Sequence, residues 1–272
     1  MPAVALVRHG VAVAVGLVLL AACASEQDAG PPTTEATVER EPEDAAMAAG
    51  GRFLAGELDR IDPASLAIVA FLHRAFGLDD LRDARSRALA APDPDEPEQS
   101  LLLRLLDGDR ELPPRPPGYA DPDFTYDVMV RALHCDQVAL PPNWLAASAD
   151  LGANGYALSH YAYALAWVDD LGCDVAGSDA ERDRVGSALA ASLEGAVVED
   201  VMLTYGAGLV ALGRGGDVPR SFVDDVLAAQ NEDGGWPRLA GEPLSDWHST
   251  GLAIWVLGGH RAGRLPSMLA WI

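Results

Sequence analysis

Hydrophobic residues recur at helical spacing along most of this chain, and no stretch shows the apolar–polar alternation of a strand. The apolar set from Leu66 to Phe76 has this spacing, with Asp62-Pro63 before it and Gly77 after it. Asp and Pro favour helix starts, whereas Gly favours helix ends. A second, more polar helix is predicted over residues 79–90. The pattern therefore indicates an all-α protein.

Further helices are predicted beyond two Pro-rich or acidic breaks, at residues 91–99 and 111–122, because Pro removes a backbone donor and clashes inside a helix. The hydrophobic pattern predicts them over residues 123–135, 142–151, 156–171, 180–194, 198–212, 219–230 and 247–260. Those that start near residues 123, 156, 198 and 247 are apolar nearly all round. The helices between them carry a polar face. This alternation predicts inner and outer helices around a common axis, as in an α/α toroid.

A repeated string supports the alternation. His160 precedes Trp167-Val168 by the same spacing with which His248 precedes Trp255-Val256, and the two strings lie 88 residues apart. Half of that spacing falls on Thr204. A helix-pair period of this length is typical of α-solenoids and toroids. If the inner helices run parallel, His160, Thr204 and His248 form a ring near their N-terminal ends.

The stretch 226–256 contains a helix end, a Gly-rich turn and the start of another helix. Its string runs from Gln230 through Gly234-Gly235-Trp236, followed by Ser249-Thr250 and an apolar helix. This resembles the QW repeat of the terpenoid cyclase and protein prenyltransferase superfamily. The resemblance covers about thirty residues and implies an α/α toroid, small or incomplete, with a central cavity.

The motifs that carry catalysis in that superfamily are not matched. The nearest string to Asp-x-Asp-Asp is Asp121-Pro122-Asp123-Phe124, which lacks the final carboxylate. His248 resembles the position of the zinc-binding His of prenyltransferases, but no Asp-x-Cys string precedes it. These departures argue against both activities. No P-loop, dinucleotide fingerprint or common hydrolase motif occurs either.

The predicted ring suggests chemistry at one mouth of the toroid. The candidate catalytic residues are His160, Asp200 and His248, as a general acid–base set, and the two histidines are also candidate ligands for a metal such as Zn²⁺. The structural alternative is that each His bonds a backbone carbonyl and each Asp favours a helix start. The candidate ligand-binding residues are Trp167, Tyr205, Trp236, Asp246 and Trp255. No cofactor is expected.

The N-terminal residues are predicted to form a signal segment. Arg8 precedes an apolar run that ends in Leu20-Ala21-Ala22-Cys23, a string that resembles the bacterial lipobox. The resemblance implies export, cleavage after residue 22 and lipidation of Cys23. The alternatives are secretory cleavage after Ala24 or an uncleaved anchor. We expect a signal peptide at 1–22, a disordered acidic tether at 23–50 and the toroid domain at 51–272. Ala24 favours the outer membrane, if the host has one.

The net charge and the cysteines limit which partners and bonds are expected. The net charge is −22, and every basic residue apart from His is Arg, which argues against nucleic acid as a partner. With Cys23 assigned to lipid, Cys135 and Cys173 remain. Export favours a disulfide between them, while a Cys/His metal site with His134 and two buried thiols are the alternatives.

Together these features predict an envelope-anchored lipoprotein with a non-enzymatic binding or scaffold role. The expected partners are the membrane, through the lipid, and a small apolar ligand or an envelope protein. The alternative is a hydrolase or lyase that uses the His/carboxylate cluster at the toroid mouth, with or without a metal.

Overall fold

The computed structural model describes residues 41–63, 65–91, 103–112, 124–152 and 155–269. Their α-helices are α1 (Glu41–Glu57), α2 (Leu66–Phe76), α3 (Ala84–Ala90), α4 (Arg131–Leu133), α5 (Trp144–Leu151), α6 (Gly155–Asp170), α7 (Ser178–Leu193), α8 (Asp200–Ala211), α9 (Arg220–Ala228) and α10 (Trp247–Ala262). A π-helical segment, Phe124–Val130, runs directly into α4. Two-residue strands β1 (Trp236–Pro237) and β2 (Ser245–Asp246) pair antiparallel. The protein is all-α, as predicted.

The predicted helices agree with the observed ones to within a few residues. At the start of α2, Oδ1 of Asp62 accepts a hydrogen bond from the backbone N of Ser65 at 2.9 Å. At its end, Gly77 adopts the left-handed conformation with φ 66°. The helix predicted over 79–90 is divided into a 3₁₀ turn, Asp79–Leu81, and α3. The predicted break at 91–99 and loop at 111–122 lie almost wholly outside the described residues.

The expected boundary between tether and domain is wrong by ten residues. Residues 41–50 belong to α1, which packs along α10. Met47 is 2% exposed, and the buried Glu43 pairs with Arg220 at 2.8 Å. The small Ala and Gly residues at the end of the segment assigned to the tether let α1 pack closely against its neighbours. A Cβ on Gly50 would lie 2.8 Å from the Trp236 ring.

The remainder of that N-terminal prediction concerns residues 1–40, which include the signal peptide and Cys23, and these lie outside the described residues. Across the described part of the chain, every helix is too short or too polar to span a bilayer.

The core follows the alternation of helix character. Helix α8 packs between α6 and α10 and buries nearly all of its residues. Helix α7, by contrast, buries one stripe, which comprises Val185, Gly186, Leu189 and Leu193. Helices α2, α6, α8 and α10 and the π-helical segment all contribute side chains to one internal cavity. The α/α toroid itself stays a prediction.

The Gly-rich turn before α10 is fastened to α1. Nε2 of Gln230 donates to the carbonyl oxygens of Ala46 at 2.9 Å and Gly234 at 2.7 Å. Gly234 has φ 89°, where a side chain would be strained. Nε1 of Trp236 donates to the carbonyl of Val226 at 2.7 Å. The turn thereby fixes where α10 begins, and with it His248.

Candidate functional site

Asp200 is the centre of the candidate site. It begins α8 and is 4% exposed. Its Oδ1 accepts hydrogen bonds from Nδ1 of His248 at 2.9 Å and Oγ of Ser249 at 2.6 Å. Its Oδ2 accepts one from the Tyr156 hydroxyl at 2.7 Å. Burial by itself would raise the pKa of Asp200, but these partners, His248 above all, outweigh it and lower the pKa to about 2. The side chain is therefore a carboxylate at neutral pH.

His248 is held by its own helix start as well as by Asp200. Oδ1 of Asp246 accepts the backbone N–H groups of His248 and Ser249, both at 3.0 Å, and so caps α10. Because a carboxylate can only accept, Nδ1 of His248 carries a proton. Nε2 is then the ring nitrogen that is left for a second hydrogen bond.

His160 has the same tautomer for a different reason. Its Nδ1 lies 2.6 Å from the backbone carbonyl oxygen of Tyr156, which can only accept. Burial is the main cause that lowers the pKa of His160, so the ring is neutral at pH 7. Nε2 of His160 is consequently a hydrogen-bond acceptor. Nδ1 of His160 thus bonds a backbone carbonyl, as the structural alternative predicted. Nε2 remains available for a second hydrogen bond.

Two spaces share these histidines as lining residues. The inner cavity, of about 180 Å³, is lined by Ile68, Thr125, Met129, His160, Tyr163, Trp167, Thr204, His248, Leu252, Trp255 and Met268. The outer mouth, of about 400 Å³, is lined by Tyr156, His160, Asp200, Arg238, Asp246, Trp247 and His248. Only His160 and His248 line both, so they form the boundary between the mouth and the cavity.

Helical spacing explains how the repeated string builds this wall. His160, Tyr163 and Trp167 occupy positions i, i+3 and i+7 of α6. In α10, His248 and Trp255 are likewise i and i+7, with Leu252 between them. Residues at these spacings share one face of a helix. Both strings therefore present a histidine at the mouth and a tryptophan about two turns deeper.

The structure brings most of the predicted site residues together. His160, Thr204 and His248 line the inner cavity, as do Trp167 and Trp255. Asp200 and Asp246 lie in the outer mouth.

Two predicted ligand-binding residues are misplaced. Tyr205 follows Thr204 by one position, so it is rotated about 100° around α8 away from the cavity, and it packs in the core at 6% exposure. Trp236 is fully buried beneath the Gly-rich turn. Neither lines the mouth or the cavity. Their roles are structural.

Several residues of the site were not predicted from the sequence. Tyr156 lies one turn before His160, so helical spacing could have identified it. Ser249, adjacent to His248, carries no signal of its own. Ile68 and Met268 reach the cavity from outside the repeated segment, and no local pattern indicates this.

The residues predicted to bind a metal, His160 and His248, are not the group whose potential ligand atoms lie close together. Within the described ranges, potential ligand atoms of Asp200, Asp246 and His248 lie within 4.8 Å of one another, and His160 is not in this group. These atoms are already engaged, because His248 bonds Asp200 and Asp246 caps α10. We therefore draw no metal site from this group.

The second predicted cluster is structural. Cys135 and Cys173 form a disulfide with their Cα atoms 6.1 Å apart, so neither thiol is free to bind a metal with His134. Beside it, the buried guanidinium of Arg104 makes a bidentate pair with Asp136 at 2.9 and 2.7 Å. Burial lowers the pKa of His134 to about 4. The alternatives of a Cys/His metal site and of two buried thiols are excluded here.

Comparison with protein-family models, curated proteins and solved structures found no match for this chain. The resemblance to the terpenoid cyclase and prenyltransferase superfamily thus rests on the stretch from Gln230 onward and stays a prediction. The geometry of the mouth and cavity is the basis for any functional conclusion.

Proposed function

We propose that this domain binds a small, largely apolar molecule in the inner cavity, and that the two boundary histidines hold a hydrogen-bond-donating group of that molecule. The cavity volume of about 180 Å³ is slightly larger than a cavity of about 150 Å³ that admits benzene. Most of its wall is aliphatic or aromatic. Such walls are typical of small-molecule sites with a few placed polar groups.

One observation carries this proposal. His160 and His248 each have the proton fixed on Nδ1 by an acceptor-only partner, and both line the mouth and the cavity. The neutral ring of His160 offers an unprotonated Nε2 at the entrance. A hydroxyl or amine group on an otherwise apolar molecule satisfies that acceptor. An aliphatic hydrocarbon does not.

The setting of this activity follows from the sequence. We propose that the domain works in the cell envelope, anchored through lipid on Cys23, as a binding or scaffold module with an α/α-toroid architecture. The lipobox-like string and the QW-like turn support this placement.

Calorimetric titration of the full chain with benzyl alcohol and toluene tests the binding proposal. We expect benzyl alcohol to bind about fivefold tighter, since one neutral hydrogen bond contributes about 1 kcal/mol. His160→Phe should abolish this preference. His73→Phe is the matched control, because Nδ1 of His73 also bonds a backbone carbonyl, that of Leu78 at 2.9 Å, away from the cavity. No saturable binding, or equal affinities in the unaltered chain, would contradict the proposal.

A hydrolase or lyase is the second candidate, favoured by the 2.9 Å contact between Asp200 and His248. Here Nε2 of His248 acts as a general base and Asp200 stabilises the imidazolium that forms. Ser249 is not the nucleophile, because its hydroxyl donates to Asp200 rather than to His248. Water in the mouth fills that role.

Hydrolysis of p-nitrophenyl acetate tests this second candidate. Loss of a positioned general base costs about 10²-fold or more in rate, so His248→Asn and Asp200→Asn should each reduce the turnover that exceeds background by that factor. Exposed Asp179→Asn is the control. Equal rates in all three variants would remove the candidate.

A further inference from the structure

Among the described residues that line the outer mouth, Arg238 alone is a permanent cation. It directly follows β1, and its backbone carbonyl accepts the N–H of Asp200 at 2.9 Å. Its side chain is exposed. Burial and then Asp200 raise the pKa of Tyr156 to about 12, and the nearby guanidinium of Arg238 opposes them. The guanidinium therefore lies beside the Tyr156 hydroxyl, in the mouth and outside the inner cavity.

The carboxylates of the same mouth do not neutralise this guanidinium. Asp200 already accepts three side-chain hydrogen bonds, and Asp246 accepts two backbone N–H groups at the start of α10. Elsewhere on the surface, Arg184 and Arg220 pair with carboxylates at 2.7 and 2.8 Å. Within the described part of the chain, Arg238 forms no such pair. Its charge and its N–H donors therefore face the mouth.

Three kinds of chemistry thus follow one another from the inside of the domain outwards. The inner cavity is mostly apolar, and His160 and His248 line both spaces. Nε2 of the neutral His160 is a hydrogen-bond acceptor at the boundary. The rings of Tyr156 and His160 have centroids 6.5 Å apart, so a short chain of atoms reaches from that boundary to the guanidinium beside the Tyr156 hydroxyl.

We infer that the ligand is a hydroxy acid, whose apolar body fills the inner cavity, whose hydroxyl donates to Nε2 of His160 and whose carboxylate binds Arg238. The inference rests on the proposed binding function and extends it to a ligand class. The planar N–H groups of a guanidinium match the two oxygens of a carboxylate. Because the net charge of −22 repels anions in general, an anionic ligand requires a local cation, which Arg238 supplies.

Two matched probes test the inference by calorimetry on the full chain at pH 7. They are 3-hydroxy-3-phenylpropanoate and its amide, which share the phenyl and hydroxyl groups and differ in the charge of the terminal group. An exposed ion pair corresponds to at most about fivefold in affinity, and we expect the acid to bind tighter by about that factor. Arg238→Gln should remove the preference. Arg52→Gln, an equal change of charge at an exposed position of α1 that lines neither space, should retain it.

A measurement on the unaltered chain makes the test independent of any variant. Added salt should reduce the preference for the acid, because it screens exposed charges. Equal affinities, tighter binding of the amide, or a preference that Arg238→Gln and Arg52→Gln change alike would overturn the inference, while binding of benzyl alcohol leaves the binding function intact. Failure of benzyl alcohol and both probes to bind would instead refute the binding function, and the inference with it.

Discussion

Oδ1 of Asp200 and Nδ1 of His248 lie 2.9 Å apart, although the two residues are 48 positions apart in sequence. Each stands in the first turn of its own helix, α8 or α10. The contact therefore joins two helices at the outer mouth and sets the tautomer of the imidazole that faces the cavity. The same contact therefore holds the two helix ends together and orients the histidine of the candidate site.

The negative charge of Asp200 should make the stability of the folded protein depend on pH in the acidic range. Its pKa is lowered to about 2 in the folded protein, below the unfolded value of about 3.9. The contribution, about 2 to 3 kcal/mol, is complete above about pH 4 and is lost as the pH falls towards 2. Urea denaturation should show Asp200→Asn less stable than the unaltered chain at pH 7, with the gap closing near pH 2. A gap that stays constant with pH would contradict this, and exposed Asp179→Asn serves as control.

His134 should produce a separate pH dependence at milder acidity. Burial lowers its pKa to about 4 in the folded protein, whereas the unfolded value is about 6.5. The unfolded chain therefore binds the proton first, and about 3 kcal/mol of stability is lost as the pH falls from 6.5 to 4. His134→Gln should flatten the stability profile in that range. A stability–pH profile of His134→Gln parallel to that of the unaltered chain would refute the lowered pKa of His134. Any difference in stability between the two chains at pH 8 reports packing alone.

The disulfide should be a large stabilising element. It joins cysteines separated by 38 positions, and the chain-entropy relation assigns such a loop about 4 kcal/mol. The double variant Cys135→Ser/Cys173→Ser should lose about that amount in urea denaturation. A reducing agent should lower the stability of the unaltered chain similarly and leave the variant unchanged. A double variant as stable as the unaltered chain would be inconsistent with the bond.

Gln230 should be intolerant of a carboxylate. Its Nε2 donates to two backbone carbonyls, those of Ala46 and Gly234. Gln230→Ala should cost about 1 to 2 kcal/mol, and Gln230→Glu about 3 kcal/mol, because an anion then faces two carbonyl oxygens. Exposed Asn143, whose side chain makes no capping hydrogen bond at the start of α5, is the control, with about 0.5 kcal/mol for Asn143→Ala. Equal losses for Glu and Ala at position 230 would show that the two bonds are not both made.

The true start of the domain can be tested by truncation. A chain that begins at residue 39 keeps all of α1, whereas one that begins at residue 51 loses Met47, Glu43 and the carbonyl that Gln230 binds. Loss of a buried Met side chain alone costs about 2 to 5 kcal/mol. The shorter chain should unfold at lower urea or fail to fold. Equal stability of the two chains would show that the tether does extend to residue 50.

Local signals account for what could be predicted. Helix bounds follow from apolar spacing and from residues such as Asp62 and Gly77, whose effects are confined to a turn or two. The His-to-Trp repeat placed His160 and His248 on one cavity because equivalent positions of parallel helices face the same way. The same reasoning failed for Trp236, because a loop residue has no helical phase to follow.

The sequence by itself determined the all-α class, most helix bounds and the histidines and tryptophans of the cavity wall, since periodicity is a property of neighbouring residues. Only the tertiary structure decided that α1 belongs to the core, that Tyr156 and Ser249 complete the hydrogen bonds of Asp200, and that Ile68 and Met268 line the cavity. These contacts join residues far apart in the chain. Their partners are chosen by packing in three dimensions, which no local pattern of hydrophobic and polar positions specifies.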